Sequence, residues 1–410
     1  MSVFDGIAPE IGVGAEPLPG AAEHAAEPPA IAFGRFLRQL RTRRGLSLAN
    51  VCELAKPSVA PLDKGTLSRL ERGQQAPSVL RLGPLSRIYQ ISADALLERM
   101  ELDREVERVR GAAGESTARR TWDEYACLRD ALSVSTNAER VPAWMAFVAT
   151  LRSLGKNALA LHELLALSAS EAPMPLERAW IHQRLSQCYR SLGAMKRAEE
   201  HAETAIDRAQ ALGDPRTLAH AYATRASAAM DQEQWSAADE LLLKALAANP
   251  ATSPSFEVQG LLMLADCSFH LNSVSRARHL TLTARKLSDE HDLPLGLAGV
   301  ELLLGLLDEV SGLADQATRR WRKAAALAAK LEDPPLAFAA ELAIYRQALE
   351  AGEGTRARAS RRRLEHWLPW MLRHAPAYRR FKQLTDDSGS RPDRTSQRER
   401  RPSHDHPRQN

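Results

Sequence analysis

Apolar residues recur along this chain at steps of three and four, the spacing that gathers side chains on one face of a helix. Between residues 33 and 100 the stripes are short: Phe36, Leu37 and Leu40 make one, and Leu48, Val51, Leu54 and Ala55 make the next. Small turns separate them, so the segment reads as five short helices. The flanks differ. Residues 1–30 are dense in Ala, Pro, Gly and Glu and have no apolar period, which predicts a disordered arm. Charges crowd the stretch from Glu101 to Glu115, and residues 101–137 are expected to form a helical linker.

Residues 138–375 carry a longer period. Ala158, Ala198, Ala238, Ala277, Ala317 and Ala357 stand 40, 40, 39, 40 and 40 residues apart. Seven residues after these anchors come Leu165, Ala205, Ala245, Ala284, Ala324 and Leu364, and twelve before them Ala146, Ser186, Ala226, Ala265, Gly305 and Tyr345. A register held six times predicts one helical hairpin per repeat, with small residues where two helices approach closely. The unit Leu185, Ser186, Tyr189, Gly193, Ala198, Ala202, Ala205 resembles the tetratricopeptide repeat consensus, as does Ala226, Ala229, Ala238, Leu242, Ala245, Pro250. The resemblance implies an all-α solenoid of helical hairpins. The period exceeds the roughly 34 residues usual for that family, so helices or loops are lengthened. After Pro376 the pattern fades, and residues 376–410 are expected to be a disordered basic tail.

Composition narrows the class. Hydrophobic residues make up 44% of the chain, enough to support cores in two or three domains. The net charge of +4 conceals an asymmetry: residues 31–100 hold twelve Lys and Arg against five Asp and Glu. One basic module on an otherwise mildly acidic chain points to a single polyanion-facing surface. Cys52, Cys127, Cys188 and Cys267 lie too far apart for a zinc or redox motif and are expected to serve as small hydrophobes. There is no basic-then-apolar leader and no run of about 18 apolar residues, which predicts a cytoplasmic protein without membrane contact.

The residues that carry chemistry lie in the basic module. The stretch from Phe33 to Ser47, the segment Thr66-Leu67-Ser68-Arg69-Leu70-Glu71-Arg72-Gly73, Pro77-Ser78 with Leu80, Leu82, Leu85 and Ile88, and Ile91-Ser92 to Leu97 together resemble the Xre family, of the lambda Cro and repressor type. That resemblance implies a five-helix DNA-binding domain over residues 31–100, whose third helix enters the major groove of double-stranded DNA. Local chemistry agrees. Ser47 stands where a side-chain oxygen would cap the second helix, and Gly73 where a left-handed residue would end the third. With Leu67 and Leu70 pointing inward, Lys64, Gly65, Thr66, Ser68 and Arg69 are expected on the outer, recognition side. Arg69 is the first choice for reading bases, because a guanidinium can bond two guanine acceptors at once; Lys64 is the second. Arg41, Arg43, Arg44, Arg72 and Arg81 fall at helix ends or turns and are assigned to phosphate contacts, while Glu71 is assigned a structural pairing with Arg41. Two departures from the family stand out. Leu48 replaces its usual amide-bearing residue, and the turn through Pro57, Pro61 and Asp63 is longer than the family's.

Aligning the first helices of the repeats places Phe147, Gln183, Gln187, Arg190, Ser227, Asp266, Phe269 and Arg346 on the concave side, as candidate partner-binding residues. An Xre module joined to such repeats resembles the peptide-pheromone receptors of Gram-positive bacteria, which implies a peptide or protein effector. The asparagines that hold a peptide backbone in those receptors are missing from this face. A two-fold operator and the small contact area of one module predict a homodimer. No phosphate-cradling G-x-x-x-x-G-K-[ST] run, no H-E-x-x-H and no histidine cluster is present, so neither an enzyme nor a metal or cofactor site is expected. The chain therefore reads as a sequence-specific DNA-binding transcriptional regulator. Its rival is a tetratricopeptide-repeat interaction scaffold whose helix-turn-helix does not read DNA.

Overall fold

The structure, a computed structural model, describes residues 28–58, 60–111, 125, 128, 129, 132, 140–248, 253–368, 371 and 376–389. Eighteen helices and no strand occur among them. The expected N-terminal arm up to residue 27, most of the linker, Cys127, Pro250 and the chain from residue 390 lie outside the described residues.

Five helices open the chain: α1 (Pro29–Arg43), α2 (Leu48–Ala55), α3 (Lys64–Glu71), α4 (Val79–Tyr89) and α5 (Ala93–Gly111). Phe36, Leu37 and Leu40 of α1 are buried against Val51, Ala55, Leu67, Leu70, Leu82 and Leu85. Two residues of the sequence stripes face solvent instead. Leu54 is exposed because α2 has only two turns, and Val51 and Ala55 at i and i+4 already fill its inner face. Leu80 sits in the first turn of α4, ahead of the face that Leu82 and Leu85 bury. The fifth helix does not stop at residue 100. It continues to Gly111, with Leu102 fully buried, so the module and the start of the linker share one helix.

Twelve helices then pair into six hairpins: α6 (Arg140–Ser153) with α7 (Asn157–Ser168), α8 (Pro175–Ser191) with α9 (Met195–Leu212), α10 (Pro215–Asp231) with α11 (Trp235–Ala248), α12 (Pro254–His270) with α13 (Val274–Glu290), α14 (Pro294–Val310) with α15 (Ala314–Lys330), and α16 (Pro334–Glu350) with α17 (Gly354–Trp367). Every anchor alanine is buried, and of the residues seven positions later only Leu165 is exposed. Two further signals keep the same register. The first helices α8, α10, α12, α14 and α16 all begin at a proline, where the missing amide costs nothing. A left-handed residue turns each of these helices into its partner: Gly193, Glu233, Asn272, Gly312 and Gly352.

The last helix, α18 (Pro376–Gly389), corrects the expectation of a disordered tail from residue 376. Ala377 and Phe381 bury themselves on the final hairpin, with the Phe381 ring 5.8 Å from Phe338 and 6.1 Å from Tyr345. A terminal repeat has an unpartnered apolar face, and α18 covers it.

The chain divides into two compact units, one holding the described residues up to Phe256 and the other those from Glu257. The helix-turn-helix module is thus not a separate body from the first repeats. One apolar core runs from Phe33 through Leu102 and Phe147 to Ala198. At the joint, the Glu98 carboxylate of α5 accepts hydrogen bonds from the amides of Ala158 (3.3 Å) and Leu159 (2.7 Å), capping α7, which has no side-chain cap of its own. Lys156 and Glu101 pair beside it at 2.8 Å.

Candidate nucleic-acid interface

The position of α3 is fixed from three sides. At its start, Asp63 accepts from the Thr66 amide at 2.8 Å and from the Thr66 hydroxyl at 2.6 Å. Those Thr66 bonds hold the Asp63 carboxyl below the usual carboxylate range. At its end, Gly73 takes a φ of +68° where the chain passes close to α1: a Cβ there would lie 2.5 Å from the Ile31 nitrogen. Gly34 of α1 packs on the same end, and a Cβ on it would meet the Leu70 carbonyl oxygen at 2.6 Å. Only glycine admits this approach.

The third constraint is an ion pair. Arg41 Nε lies 2.6 Å from Glu71 Oε1 and Arg41 Nη2 lies 2.9 Å from Glu71 Oε2, while Nη1 donates to the Leu46 carbonyl at 2.8 Å. The Glu71 hydrogen bond holds the Arg41 guanidinium above its ordinary value. One fork therefore ties the end of α1, the turn before α2 and the end of α3 together. The expected pairing of Glu71 with Arg41 is present. It also withdraws Arg41 from the phosphate-contact group, since all three hydrogen-bonding nitrogens point inward.

What remains outside is a compact basic surface. Lys64, Gly65, Arg69 and Arg72 are exposed along α3, and Ser68 is half-buried between them. Arg69 Nη2 donates to the Thr66 hydroxyl at 3.1 Å, so its guanidinium is steadied over the first turn of the helix. Arg72 Nε donates to the Ser68 carbonyl at 3.2 Å. Thr66 itself is 4% exposed and spent on the cap, so its side chain is not on the outer face where the helical period put it. Arg43 and Arg44 are exposed at the end of α1, and Arg81 is half-buried in the first turn of α4. The Arg43 guanidinium also lies 5.7 Å from the Trp144 ring of α6, a contact between the basic module and the repeats.

The departures from the family have structural answers. Ser47 caps α2 with Asn50 returning the bond to the Ser47 amide at 3.0 Å, and Leu48 turns into the core. The longer turn before α3 is pinned by Leu62, which is 4% exposed.

The concave-side candidates occupy a different environment from the one expected. In the first unit, Phe147 is 3% exposed and stacks on Tyr125 at 5.6 Å. Gln183 is fully buried and donates to the His220 carbonyl and the Thr224 hydroxyl, and Gln187 also donates to Thr224. Arg190 Nη1 pairs with Asp231 Oδ2 at 3.0 Å, and Ser227 bonds back to the Ala223 carbonyl. In the second unit, Asp266 is fully buried with His270 beside it, Phe269 sits edge-on to His270, and Arg346 is paired with Glu309 and Glu350. Gln183, Gln187, Arg190 and Arg346 knit successive first helices together, because polar side chains at such positions find one another across the helix interface. Two arginines of the same helices escaped the sequence reading, Arg152 and Arg184. The period that located their neighbours does not say which arginine finds a carboxylate.

Residues 32–100 match the helix-turn-helix domain family, and the module is a helix-turn-helix domain. No curated protein matches the chain. Among solved structures, aspartyl phosphate phosphatase F from Bacillus subtilis is 12% identical with a TM-score of 0.52, over 85% of this chain and 96% of that one. The apo form of RapI is 12% identical with a TM-score of 0.51, over 71% of this chain and 99% of that one. The Rap conjugation gene regulator of plasmid pLS20, solved with a Phr peptide, is 11% identical with a TM-score of 0.50, over 89% and 98%. The shared property is the fold, a helical tetratricopeptide-like solenoid. Among the described residues no helix is long and apolar enough to cross a membrane.

Proposed function

We propose that this protein is a cytoplasmic, sequence-specific DNA-binding transcriptional regulator that acts as a homodimer, with repeats that pair the protomers and take a peptide or protein effector. The observation that carries the reading is α3: an eight-residue helix locked by Asp63, Gly34, Gly73 and the Arg41–Glu71 pair, yet presenting Lys64, Ser68, Arg69 and Arg72 outward. A scaffold has no need for a helix so firmly aimed and so uniformly basic. Arg69 reads base edges in the major groove; Lys64, Arg43, Arg44, Arg72 and Arg81 contact phosphates. The Rap regulator solved with a peptide supports an effector of that kind for the repeats. The phosphatase of the same fold suggests a catalytic role as the alternative; among the described residues no group of His, Cys, Asp and Glu could hold a metal ion for it.

The test is selection from randomised duplex DNA by the full-length protein at two salt concentrations, against a Lys64→Glu, Arg69→Glu double variant. A motif enriched by the wild type and absent with the variant is the expected result. The affinity should fall with salt at a log–log slope of about −0.9 per phosphate neutralised. Wild-type enrichment that survives the double substitution would refute the assignment of α3.

A further inference from the structure

The first helices α6 and α8 carry three arginines, two of which pair with no carboxylate among the described residues. Arg184 of α8 is 8% exposed, and its one hydrogen bond among the described residues is from Nη1 to the neutral Gln187 amide oxygen at 3.0 Å. Arg152, in the last turn of α6, is half-buried, and its Nε has no partner. Arg190, on the same helix as Arg184, is 9% exposed and shares Asp231. Arg152 couples to both of the others: its charge acts on Arg184, and that of Arg190 acts on it. Burial first, and the charge of Arg152 second, push Arg184 down to about 9; burial, with Arg190 adding to it, pushes Arg152 down.

No carboxylate among the described residues pairs with Arg152 or Arg184. Asp231 is held by Arg190, and Glu98, whose field reaches Cys188, is bound to the amides that open α7. Cys188 lies within the field of both arginines, but burial pushes its thiol up to about 11, so it stays neutral and offers no counter-charge. On the same helices and α10, Gln183 Oε1, Ser186 Oγ and His220 Nδ1 are buried without partners among the described residues, and His220 lies within the field of Arg184. An arginine does not shed its proton at neutral pH, so its burial without a counter-ion is a standing cost in stability. Such a cost is characteristic of a binding site kept ready for an opposite charge.

We propose that Arg152 and Arg184, with Arg190 beside them, form an oxyanion site on the first helices α6 and α8, which takes a carboxylate or phosphate group. The identity of the carrier rests on the reading of the repeats as the sensing part. A peptide supplies the group as its C-terminal carboxylate, and a small metabolite supplies it as phosphate.

The experiment follows thermal unfolding of the full-length protein in chloride, acetate and inorganic phosphate at matched ionic strength, for the wild type, Arg184→Met and Arg152→Met. In parallel, the same proteins capture peptides from a library of heptapeptides randomised at every position, offered once with free C-terminal carboxylates and once amidated. The wild type is expected to gain about 2–4 °C, saturably, in at least one of the two oxyanions. Arg184→Met is expected to melt no lower than the wild type in chloride and to lose that gain. Arg152→Met, at a less buried position, repeats the test if Arg184→Met does not fold. A gain in phosphate alone assigns the site to phosphate carriers; capture of acid peptides at least tenfold over amides assigns it to carboxylates.

Failures separate cleanly. An oxyanion gain lost in the variants, with no peptide captured from either library, upholds the site and sinks the peptide effector. Peptides captured equally as acids and amides, by wild type and variants alike, uphold the effector and sink the site. A gain undiminished in both variants, or no gain in any anion together with no preference for acid peptides, also overturns the proposal.

Discussion

Replacing Glu71 by Ala should loosen the whole basic module by an amount the geometry allows to be worked out. The substitution removes two charge-assisted hydrogen bonds and leaves the Arg41 guanidinium with only the Leu46 carbonyl. Breaking a buried pair by deleting one partner costs about 3–5 kcal/mol, chiefly because the surviving charge is stranded. The side chains here are 13% and 6% exposed, so the Arg41 charge recovers some hydration and the lower end, about 3 kcal/mol, applies. Hydrogen exchange of the α1–α4 amides in the full-length protein reads this directly as local opening. Protection is expected to fall about a hundredfold, since 1.4 kcal/mol is tenfold. The apolar replacement Arg41→Met with Glu71→Leu should restore most of it, because no charge is then stranded. A fall of less than about threefold on Glu71→Ala would mean that the pair contributes no more than an exposed one, and the argument that it fixes α3 would fail.

Two further perturbations test the repeats. His182 and His220 are both held down at about 4 by burial, with the neighbouring His201 second for His182 and Arg216 second for His220. The folded chain therefore binds fewer protons than the unfolded chain, and this contribution is complete above pH 6.5 and disappears as pH falls toward 4. Melting temperatures measured from pH 7.5 to 4 should fall across that window and fall less steeply in His220→Gln; identical slopes would refute it. In the second unit, a Cβ on Gly305 would run into the indole of Trp321, which is fully buried and donates to the Leu302 carbonyl at 3.3 Å. Gly305→Ala should cost about 1–3 kcal/mol in denaturant unfolding followed by tryptophan fluorescence, and a change within about 0.5 kcal/mol would show that the indole can move aside.

Much of this was legible from spacing alone. The anchor alanines sit where hairpins close-pack, and a methyl group is all the space there admits, so their register survives in the sequence. Ser47 and Gly73 were legible because capping is local chemistry. Thr66 was misplaced because helical period assigns a face without knowing that the hydroxyl turns back to Asp63. The tail helix α18 was hidden by its composition: Ala377, Tyr378, Phe381 and Leu384 mark its inner face amid charged residues, outside the 40-residue register. Contacts between polar side chains of successive first helices, such as Gln183 with Thr224, depend on three-dimensional register and leave no one-dimensional trace.

Because α5 belongs at once to the core of the basic module and to the cap of α7, the module is not tethered by a free linker at that joint. A tethered reader tolerates half-sites at many separations, since slack in the tether absorbs the difference. In the proposed dimer, a reader packed on its first repeats would not. Each base pair inserted between half-sites moves the second one by about 3.4 Å and turns it by roughly 35° around the duplex, because a helical turn takes about 10–10.5 base pairs. If the repeats pair the protomers as proposed, the permitted spacer of the operator is set by them as much as its sequence is set by α3.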